Sequence, residues 1–467
     1  MKPVPDSRRD ADLDAELIYR YGGSLPRYTS YPTALQFTPS FGVAALREAL
    51  DRRRADPAAR PPSLYVHVPF CANPCFYCAC TRVITRQREI VERYAERLLR
   101  EAVLWGALWD GLPRGVRQLH FGGGTPTSFD DTQLARVMTA LDRQFGFDAG
   151  EAREFSVEVD PRTVDAERLQ VLARLGFNRI SFGVQDLDAR VQAAINREQP
   201  AALSAAAIDA ARAAGFRSVS VDLIYGLPLQ TPESFARTLA EVAAMQPDRI
   251  AVYAYAHLPA QFGAQRQIRP EQLPNAAARL ALFRRAVEVF GAAGYRRIGM
   301  DHFALPGDEL ARALDDGTLQ RNFQGYSTQA GQDLIGLGMS AISRIGDCYA
   351  QNSKQLDRYI ACIDDGVLPT ERGLRLDADD LLRRDVIDRV MCGGVVDAEA
   401  ISGAHGVELW AYFADCLPQL LDFERDGLLR VDADGLTVTP RGRPLVRNIA
   451  RVFDRYASGP ARHSSAI

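Results

Sequence analysis

Residues 63–80 read Ser63-Leu-Tyr-Val-His-Val-Pro-Phe-Cys71-Ala-Asn-Pro-Cys75-Phe-Tyr-Cys78-Ala-Cys80 and place a strand-like run directly before a cysteine cluster. Four of the eight cysteines of the chain fall within the last ten of these residues. A cluster with the spacing C-x3-C-x2-C-x-C can indicate disulfides, a zinc site or an iron–sulfur cluster. The segment before them is polar and rich in Arg and Asp, with no apolar signal stretch. It predicts a cytoplasmic protein in a reducing compartment, where disulfides are disfavoured.

The cysteine spacing favours an iron–sulfur cluster over a zinc ion. Zinc ligands usually come as two short pairs held apart by a long loop, whereas all four sulfurs here come from one segment. Cys71, Cys75 and Cys78 can ligate three irons of a cubane cluster. Cys80 follows Cys78 too closely to reach the fourth iron, which is left open for a cofactor or substrate. A buried helical face is the alternative, since three cysteines lie at i, i+4 and i+7, but Pro74 favours a loop.

The composition of the chain excludes several function classes. A length of 467 residues with 47% apolar composition predicts a large core and two or three domains. A net charge of −3 gives no general attraction to nucleic acid, and no apolar stretch approaches the roughly 20 residues of a membrane span. Lysine occurs only at Lys2 and Lys354, so the segment 64–255 has no amine for Schiff-base or pyridoxal-phosphate chemistry.

Strand-like runs alternate with amphipathic helical patterns after residue 63. The predicted strands are 64–68, 118–121, 155–159, 179–182, 218–224 and 249–255, and the predicted helices are 90–108, 132–145, 166–175, 202–214 and 232–244. Six such units predict an α/β fold with a parallel sheet, built as an open partial (βα)6 barrel of the TIM type. Ligands of such folds bind at the carboxyl ends of the strands, where the cysteines, the Gly122–Gly124 run and several polar residues stand.

The chain divides into five predicted segments. They are an N-terminal arm (1–60), the partial barrel (61–260), a barrel extension with substrate-side elements (261–370), a mainly helical C-terminal domain (371–457) and a disordered tail (458–467). A hairpin over 426–439 followed by a helix over 441–455 is typical of a winged helix. Asp432 and Asp434 on the hairpin disfavour DNA binding, so a packing or lid role is predicted.

At the cysteine loop the sequence resembles the radical S-adenosylmethionine (SAM) superfamily and, through the added Cys80, the oxygen-independent coproporphyrinogen III oxidases within it. Further matching segments run along almost the whole chain: Tyr28-Thr-Ser-Tyr-Pro-Thr33, Phe121-Gly-Gly-Gly-Thr-Pro-Thr127, Glu158-Val-Asp-Pro-Arg162, Gly183-Val-Gln-Asp186, Asp222-Leu-Ile-Tyr-Gly-Leu-Pro228 and Arg321-Asn-Phe-Gln-Gly-Tyr-Ser-Thr328. The resemblance implies anaerobic oxidative decarboxylation of coproporphyrinogen III to protoporphyrinogen IX, with two propionates becoming vinyl groups, in haem biosynthesis.

The resemblance also implies cofactors, partners and site residues. It implies a 4Fe-4S cluster on Cys71, Cys75 and Cys78, a first SAM contacted by Tyr65, Tyr77, Gly123, Glu158 and Ile342, and a second SAM contacted by Gly124, Thr125, Gln185, Arg197, Asp222 and Ala256. Cys80 is expected to act in catalysis beside the second SAM or the substrate. Arg162, Arg297 and Arg321 are candidates for the substrate carboxylates. A monomer is expected, with a reductase or a flavodoxin- or ferredoxin-type electron donor and no nucleic-acid partner.

Three alternatives stand beside the oxidase: a haem-trafficking relative, a haem-degrading radical SAM methyltransferase and a DNA-binding regulator. The trafficking relatives lack the added cysteine and carry a histidine-containing haem motif, whereas this chain has Cys80 and Arg321-Asn-Phe-Gln-Gly-Tyr326. The oxidase is therefore favoured. Ala79 and Thr81 replace an expected glycine and asparagine, which makes the second SAM site the least secure part of the comparison.

Overall fold

The computed structural model describes residues 15–23, 25–329 and 331–457. Residues 1–14 of the predicted N-terminal arm lie outside the described residues, and so does the whole predicted tail, 458–467. Two helices precede the first strand: α1 (Ala15–Tyr21) and α2 (Val43–Arg54). None of the helices in the described ranges is long and apolar enough to cross a lipid bilayer.

The predicted partial barrel is confirmed. Its elements are β1 (Ser63–Val68), β2 (Phe70–Cys71), β3 (Val83–Ile84), α3 (Arg88–Leu108), β4 (Gln118–Gly123), α4 (Asp131–Phe145), β5 (Glu154–Val159), α5 (Ala166–Arg174), β6 (Arg179–Gln185), α6 (Ala189–Ala194), α7 (Ala201–Ala213), β7 (Ser218–Tyr225), α8 (Pro232–Ala244) and β8 (Arg249–Ala254). Strands β1, β4, β5, β6, β7 and β8 are neighbours in that order and all pair in parallel. The sequence pattern missed the short helix α6 and the two-residue strands β2 and β3.

The helices begin where the sequence places capping residues. Thr231 accepts a hydrogen bond from the backbone N–H of Ser234, with Pro232 at the first helical position of α8, as predicted. Asp130 and Gln133 form a capping box at the start of α4. Each helix then turns an apolar face toward the sheet, and the two layers share one continuous hydrophobic core. This core fixes the carboxyl ends of the six strands relative to one another.

The sheet continues beyond the six predicted strands on both sides. The additional elements are α9 (Ala276–Ala292), β9 (Arg296–Arg297), β10 (His302–Ala304), α10 (Glu309–Asp315), β11 (Gln320–Asn322), β12 (Gly325–Ser327), β13 (Leu334–Leu337), β14 (Ile342–Ile345), β15 (Cys348–Asn352), α11 (Leu356–Asp364) and β16 (Thr370–Arg375). The full sheet has twelve strands in the order β16-β15-β14-β13-β1-β4-β5-β6-β7-β8-β10-β9. Strand β13 pairs in parallel with β1, and the sheet does not close on itself.

The C-terminal part has its own hydrophobic core, which also takes in Tyr28 and Tyr31 of the N-terminal arm. It consists of α12 (Ala378–Cys392), β17 (Val395–Asp397), α13 (Ala398–His405), α14 (Leu409–Tyr412), α15 (Leu417–Arg425), β18 (Leu429–Asp432), β19 (Gly435–Val438) and α16 (Val446–Val452). The expected hairpin is β18–β19. The predicted helix 441–455 is wrong at its start, because Pro440–Leu445 is a 3-10 segment: Pro444 has no N–H to donate to an α-helical ladder.

A fully buried carboxyl group joins the barrel to its extension. Glu101 on α3 accepts hydrogen bonds of 2.7 Å each from the Gly338 backbone N–H, the Asn352 side-chain amide and the Tyr359 hydroxyl. Burial raises the pKa of Glu101 to about 7, although these hydrogen bonds act in the opposite direction. The carboxyl group therefore fixes the turn after β13 against helix α3.

Replacing Glu101 with glutamine is expected to lower the free energy of unfolding by about 2–3 kcal/mol. The new amide places N–H groups against neighbours that are themselves donors, so buried polar atoms lose their partners. Glu96→Gln on the same helix is the matched control, since the Glu96 side chain is 45% exposed. Urea unfolding measures both variants, and a Glu101→Gln midpoint equal to that of Glu96→Gln would contradict the expectation.

Candidate active site

A cavity of about 560 Å³ opens at the carboxyl ends of the barrel strands. The structure brings thirteen of the predicted site residues into its wall: Cys71, Cys75, Tyr77, Cys78, Cys80, Gly123, Gly124, Thr125, Glu158, Arg162, Gln185, Arg197 and Asp222. They come from the loops or ends of strands β1, β4, β5, β6 and β7. Parallel strands bring such residues together because all their carboxyl ends meet at one edge of the sheet.

Three predicted SAM-contacting residues lie outside this lining. The Tyr65 hydroxyl is 3.0 Å from Nδ1 of His67, and its ring stacks on His120 at a centroid distance of 5.9 Å, beside the cavity. The Ala256 carbonyl accepts a hydrogen bond from Gln265. Ile342 lies on β14, packed against the separate apolar cluster around Phe37, Tyr349 and Leu376.

The cysteine segment is a loop anchored by later parts of the chain, in agreement with the interpretation based on Pro74. Its ends pair as the short strands β2 and β3. The backbone N–H of Phe76 donates to Ile195 at 2.9 Å, and the Asn196 side chain donates to the Pro74 carbonyl at 2.6 Å. The Gln265 side chain donates to the Tyr77 carbonyl at 2.9 Å. These contacts present the thiols to the cavity.

The thiols fit a group larger than a single metal ion. All eight cysteines are free, and Cys80 is exposed. Within the described ranges, no three His, Cys, Asp or Glu side chains are grouped so that they could hold one ion. Hydrogen bonding from Cys80, with the nearby charge of Arg82, lowers the pKa of Cys78 to about 6. Soft thiolates spread over one wall of a large cavity suit a 4Fe-4S cluster better than zinc.

The glycine run after β4 is required by protein packing. A Cβ atom on Gly124 would lie 2.6 Å from the carbonyl carbon and oxygen of Pro69, just before the cysteine loop. Gly123 has a φ of +114°, and a Cβ there would lie 2.6 Å from the His67 ring. The backbone N–H of Gly124 donates to the Val68 carbonyl at 2.8 Å. The glycines therefore let β4 approach the start of the cysteine loop closely, in addition to any approach to a cofactor.

Two carboxyl groups in the wall differ in protonation. Burial opposes ionisation of Glu158, but hydrogen bonds from His120 at 3.1 Å and from the Gly123 N–H at 3.2 Å outweigh it and lower the Glu158 pKa. Asp222 accepts one hydrogen bond, from Ser181 at 3.0 Å. Burial and the neighbouring charge of Glu158 raise the pKa of Asp222 to about 7. The site thus offers one ionised carboxylate and one that holds a proton near neutral pH.

The Arg197 guanidinium already binds other groups of the protein. Its guanidinium lies 2.5 Å from Asp160 and donates to the Gly183 carbonyl at 2.8 Å, with Cys75 Sγ at 3.7 Å. A ligand carboxylate would share this guanidinium with Asp160. The sequence prediction did not assign Asp160, Ser181 and Tyr253 to the site, although all three line the cavity. The positions of Asp160 and Tyr253 at the ends of strands were the available signal, whereas Ser181 lies inside β6.

Proteins of known family match almost the whole chain. The family model of the Radical SAM superfamily matches residues 65–242, and that of the HemN C-terminal domain matches residues 376–445. An oxygen-independent coproporphyrinogen III oxidase of Pseudomonas aeruginosa is 49% identical over 443 residues, which are 95% of this chain and 96% of the relative. This chain belongs to the oxygen-independent coproporphyrinogen III oxidase family. The Escherichia coli relative of the same name is 46% identical over 98% of each chain.

A solved structure shows the same architecture for this oxidase family. Coproporphyrinogen III oxidase (HemN) from Escherichia coli, described as a radical SAM enzyme, superposes with a TM-score of 0.90 at 46% identity, over 95% of this chain and 99% of that chain. The resemblance stated from the sequence is therefore confirmed. The relatives carry the name of the oxidase and not of the trafficking or methyltransferase alternatives.

Proposed function

We infer that this protein is a radical SAM enzyme that decarboxylates coproporphyrinogen III oxidatively to protoporphyrinogen IX without oxygen. Nearly full-length identity to oxidases of that name supports this function. One structural observation carries it: the three candidate cluster ligands and the additional Cys80 face the same cavity as the polar strand ends. In each of two steps a SAM-derived radical would take one hydrogen atom from a propionate, carbon dioxide would leave, one electron would pass to an acceptor, and a vinyl group would remain.

We propose that Cys71, Cys75 and Cys78 hold a 4Fe-4S cluster and that the cavity binds two SAM molecules. Such a cluster would supply the electron for cleavage of SAM to a 5′-deoxyadenosyl radical. Glu158, held ionised by His120 and the Gly123 N–H, accepts hydrogen bonds from the first SAM. The other proposed contacts of the first SAM are Tyr65, Tyr77, Gly123 and Ile342.

The proposed second SAM lies against Gly124, Thr125, Gln185, Arg197, Asp222 and Ala256. Arg197 binds its carboxylate while remaining paired with Asp160, which keeps the guanidinium in place. Asp222 either donates or accepts a hydrogen bond, since it titrates near neutral pH. A reductase or a flavodoxin- or ferredoxin-type protein in a reducing cytoplasm would supply electrons to a monomeric enzyme.

A packing role is proposed for the C-terminal domain. The Tyr28 hydroxyl of the N-terminal arm donates to Asp454 at 2.9 Å, and the Arg455 backbone N–H donates to the Tyr31 hydroxyl at 3.1 Å. The domain thus holds the arm that leads into the barrel. The hairpin β18–β19 carries Asp432 and Asp434, whose charge disfavours contact with nucleic acid.

An anaerobic assay tests the proposed function. Reconstituted protein with SAM, a strong reductant and coproporphyrinogen III is expected to yield protoporphyrinogen IX and 5′-deoxyadenosine, detected by chromatography. Omission of SAM is the control and should abolish both products. Haem binding without decarboxylation would instead support the trafficking alternative.

Replacing Cys80 with serine is expected to spare the cluster and to slow turnover by about tenfold or more, because a hydroxyl has the shape of the thiol but not its reactivity. Cys80 lies in the cavity wall, but its backbone N–H and thiol contact Cys78 and it is not assigned as a ligand. Iron content and turnover are measured on the same preparation. Unchanged turnover would remove the catalytic assignment, and loss of iron would make Cys80 a cluster ligand.

A further inference from the structure

The three arginines considered for the substrate carboxylates have different surroundings. Arg162 forms an ion pair with Asp160 at 2.8 Å. Arg297 donates to the carbonyls of Gly299 and Met300 at 3.0 and 3.1 Å. Arg321 is 5% exposed, and within the described part of the chain its Nε and Nη1 atoms have no hydrogen-bond partner. Buried guanidinium N–H groups without partners are costly, so an acceptor bound at this point would stabilise the side chain.

Arg321 lies at the amino ends of the barrel strands, opposite the cysteine loop. It belongs to the hairpin β11–β12 and lines a small cavity with Ser63 and Gln118, the first residues of β1 and β4. Its guanidinium stacks over the Tyr326 ring at 4.7 Å from the centroid, which fixes its plane. The free edge of the guanidinium is therefore held in one orientation.

The charge around this cavity is positive. Arg321, Arg344 and Asp388 line the cavity, so two guanidiniums face one carboxylate there. The other carboxylate that acts on Arg321 belongs to Asp301, which already forms an ion pair with Arg27. An anion would therefore be attracted to Arg321, and a planar carboxylate matches the guanidinium fork.

A path along shared wall residues leads from Arg321 to the active site. Its cavity shares Gln118 and Asn322 with a chamber of about 150 Å³ inside the barrel. That chamber shares Glu158, Ser181, Asp222 and Tyr253 with the active-site cavity. Strand β5 runs beside the path from Glu154 to Val159, a length of roughly 17 Å. A ligand with anionic groups at opposite ends can occupy both ends of such a path.

We propose that Arg321 binds a propionate of the substrate that does not react, at the end of the barrel opposite the cysteine loop. This inference rests on the proposed function. The reacting propionate must lie at the carboxyl ends of the strands, where the radical is formed, so a propionate on an opposite ring extends toward the amino ends. The cavity at Arg321 has a volume of about 20 Å³, which is enough for a small polar group such as a carboxylate oxygen or a water.

The test separates substrate binding from folding and from radical formation. Arg321→Gln is expected to raise the KM for coproporphyrinogen III roughly 10- to 100-fold, as expected for loss of a charge-assisted pair. Iron content, melting temperature and SAM cleavage without substrate should stay close to those of the parent protein. Arg312→Gln on α10 is the control, since it removes the same charge from an exposed position.

Arg321→Lys keeps the charge but loses the planar fork, so its KM should rise at least about threefold. If Arg321→Gln does not fold, the KM of Arg321→Lys tests the proposal. KM values equal to those of Arg312→Gln in the folded Arg321 variants would overturn the proposal and assign the cavity to water. If the parent protein itself produces no protoporphyrinogen IX, the proposed function fails, which is a different result.

Discussion

Cys78→Ala is expected to abolish cluster binding and to lower turnover by more than about 100-fold, since losing a ligand costs more than losing its supporting contacts. The pKa of the Cys78 thiol is lowered by a hydrogen bond from Cys80 and by the charge of Arg82. Removing its sulfur leaves two of the three assigned ligands. Iron and sulfide analysis with the ultraviolet–visible spectrum of the reconstituted protein measures the first effect, and protoporphyrinogen IX formation measures the second.

Cys362→Ala provides the matched control for that experiment. Cys362 is a partly buried free thiol on α11, in the barrel extension and outside the cysteine loop. Its removal should leave the iron content and turnover within experimental error of the parent protein. Full iron content and turnover in Cys78→Ala would refute the assignment of this residue as a ligand.

Gly124→Ala is expected to reduce both iron content and turnover, the latter by roughly 100-fold, because a small misplacement of catalytic groups has effects of that size. The new methyl group would lie 2.6 Å from the Pro69 carbonyl group and 2.9 Å from the Phe70 backbone nitrogen. Both are backbone atoms and cannot rotate away. The end of β1 must therefore shift, and Cys71 follows directly.

Gly291→Ala is the control for the same change in chemistry. Gly291 lies inside helix α9, where an added Cβ meets no atom within 4 Å. Alanine is the better helix former by about 1 kcal/mol, so this variant should be as stable as the parent protein or more stable. Equal activity of Gly124→Ala and Gly291→Ala would show that the close backbone approach at Pro69 is not needed.

The central fold was predictable from sequence because buried parallel strands form short apolar runs between amphipathic helices. The strands of the extension were not predictable, since strands of two to six residues between turns show too little hydrophobic pattern. Leu334–Leu337, for example, contains Gly336, which reads as a turn. In the structure, a Cβ at Gly336 would lie 2.6 Å from the Ile342 carbonyl oxygen, so the glycine serves close packing within the sheet.

The sequence predicts which strand ends form the site, but not which side chains contact one another within it. Cysteine spacing and the glycine run led to the correct cavity. Sequence could not show that Arg197 shares its charge with Asp160, or that Ile342 packs outside the lining. The unpartnered N–H groups of Arg321 likewise follow from tertiary packing alone, because the walls of its cavity come from segments as distant as Thr29, Gln118 and Asp388.

The anchors of the cysteine loop impose an order on the maturation of the protein. Ile195, Asn196 and Gln265 hold the loop, and they follow it by more than a hundred residues. A nascent chain that has not yet emerged as far as Gln265 cannot present the three thiols in their final arrangement. We therefore expect metal loading to follow the synthesis and folding of the barrel.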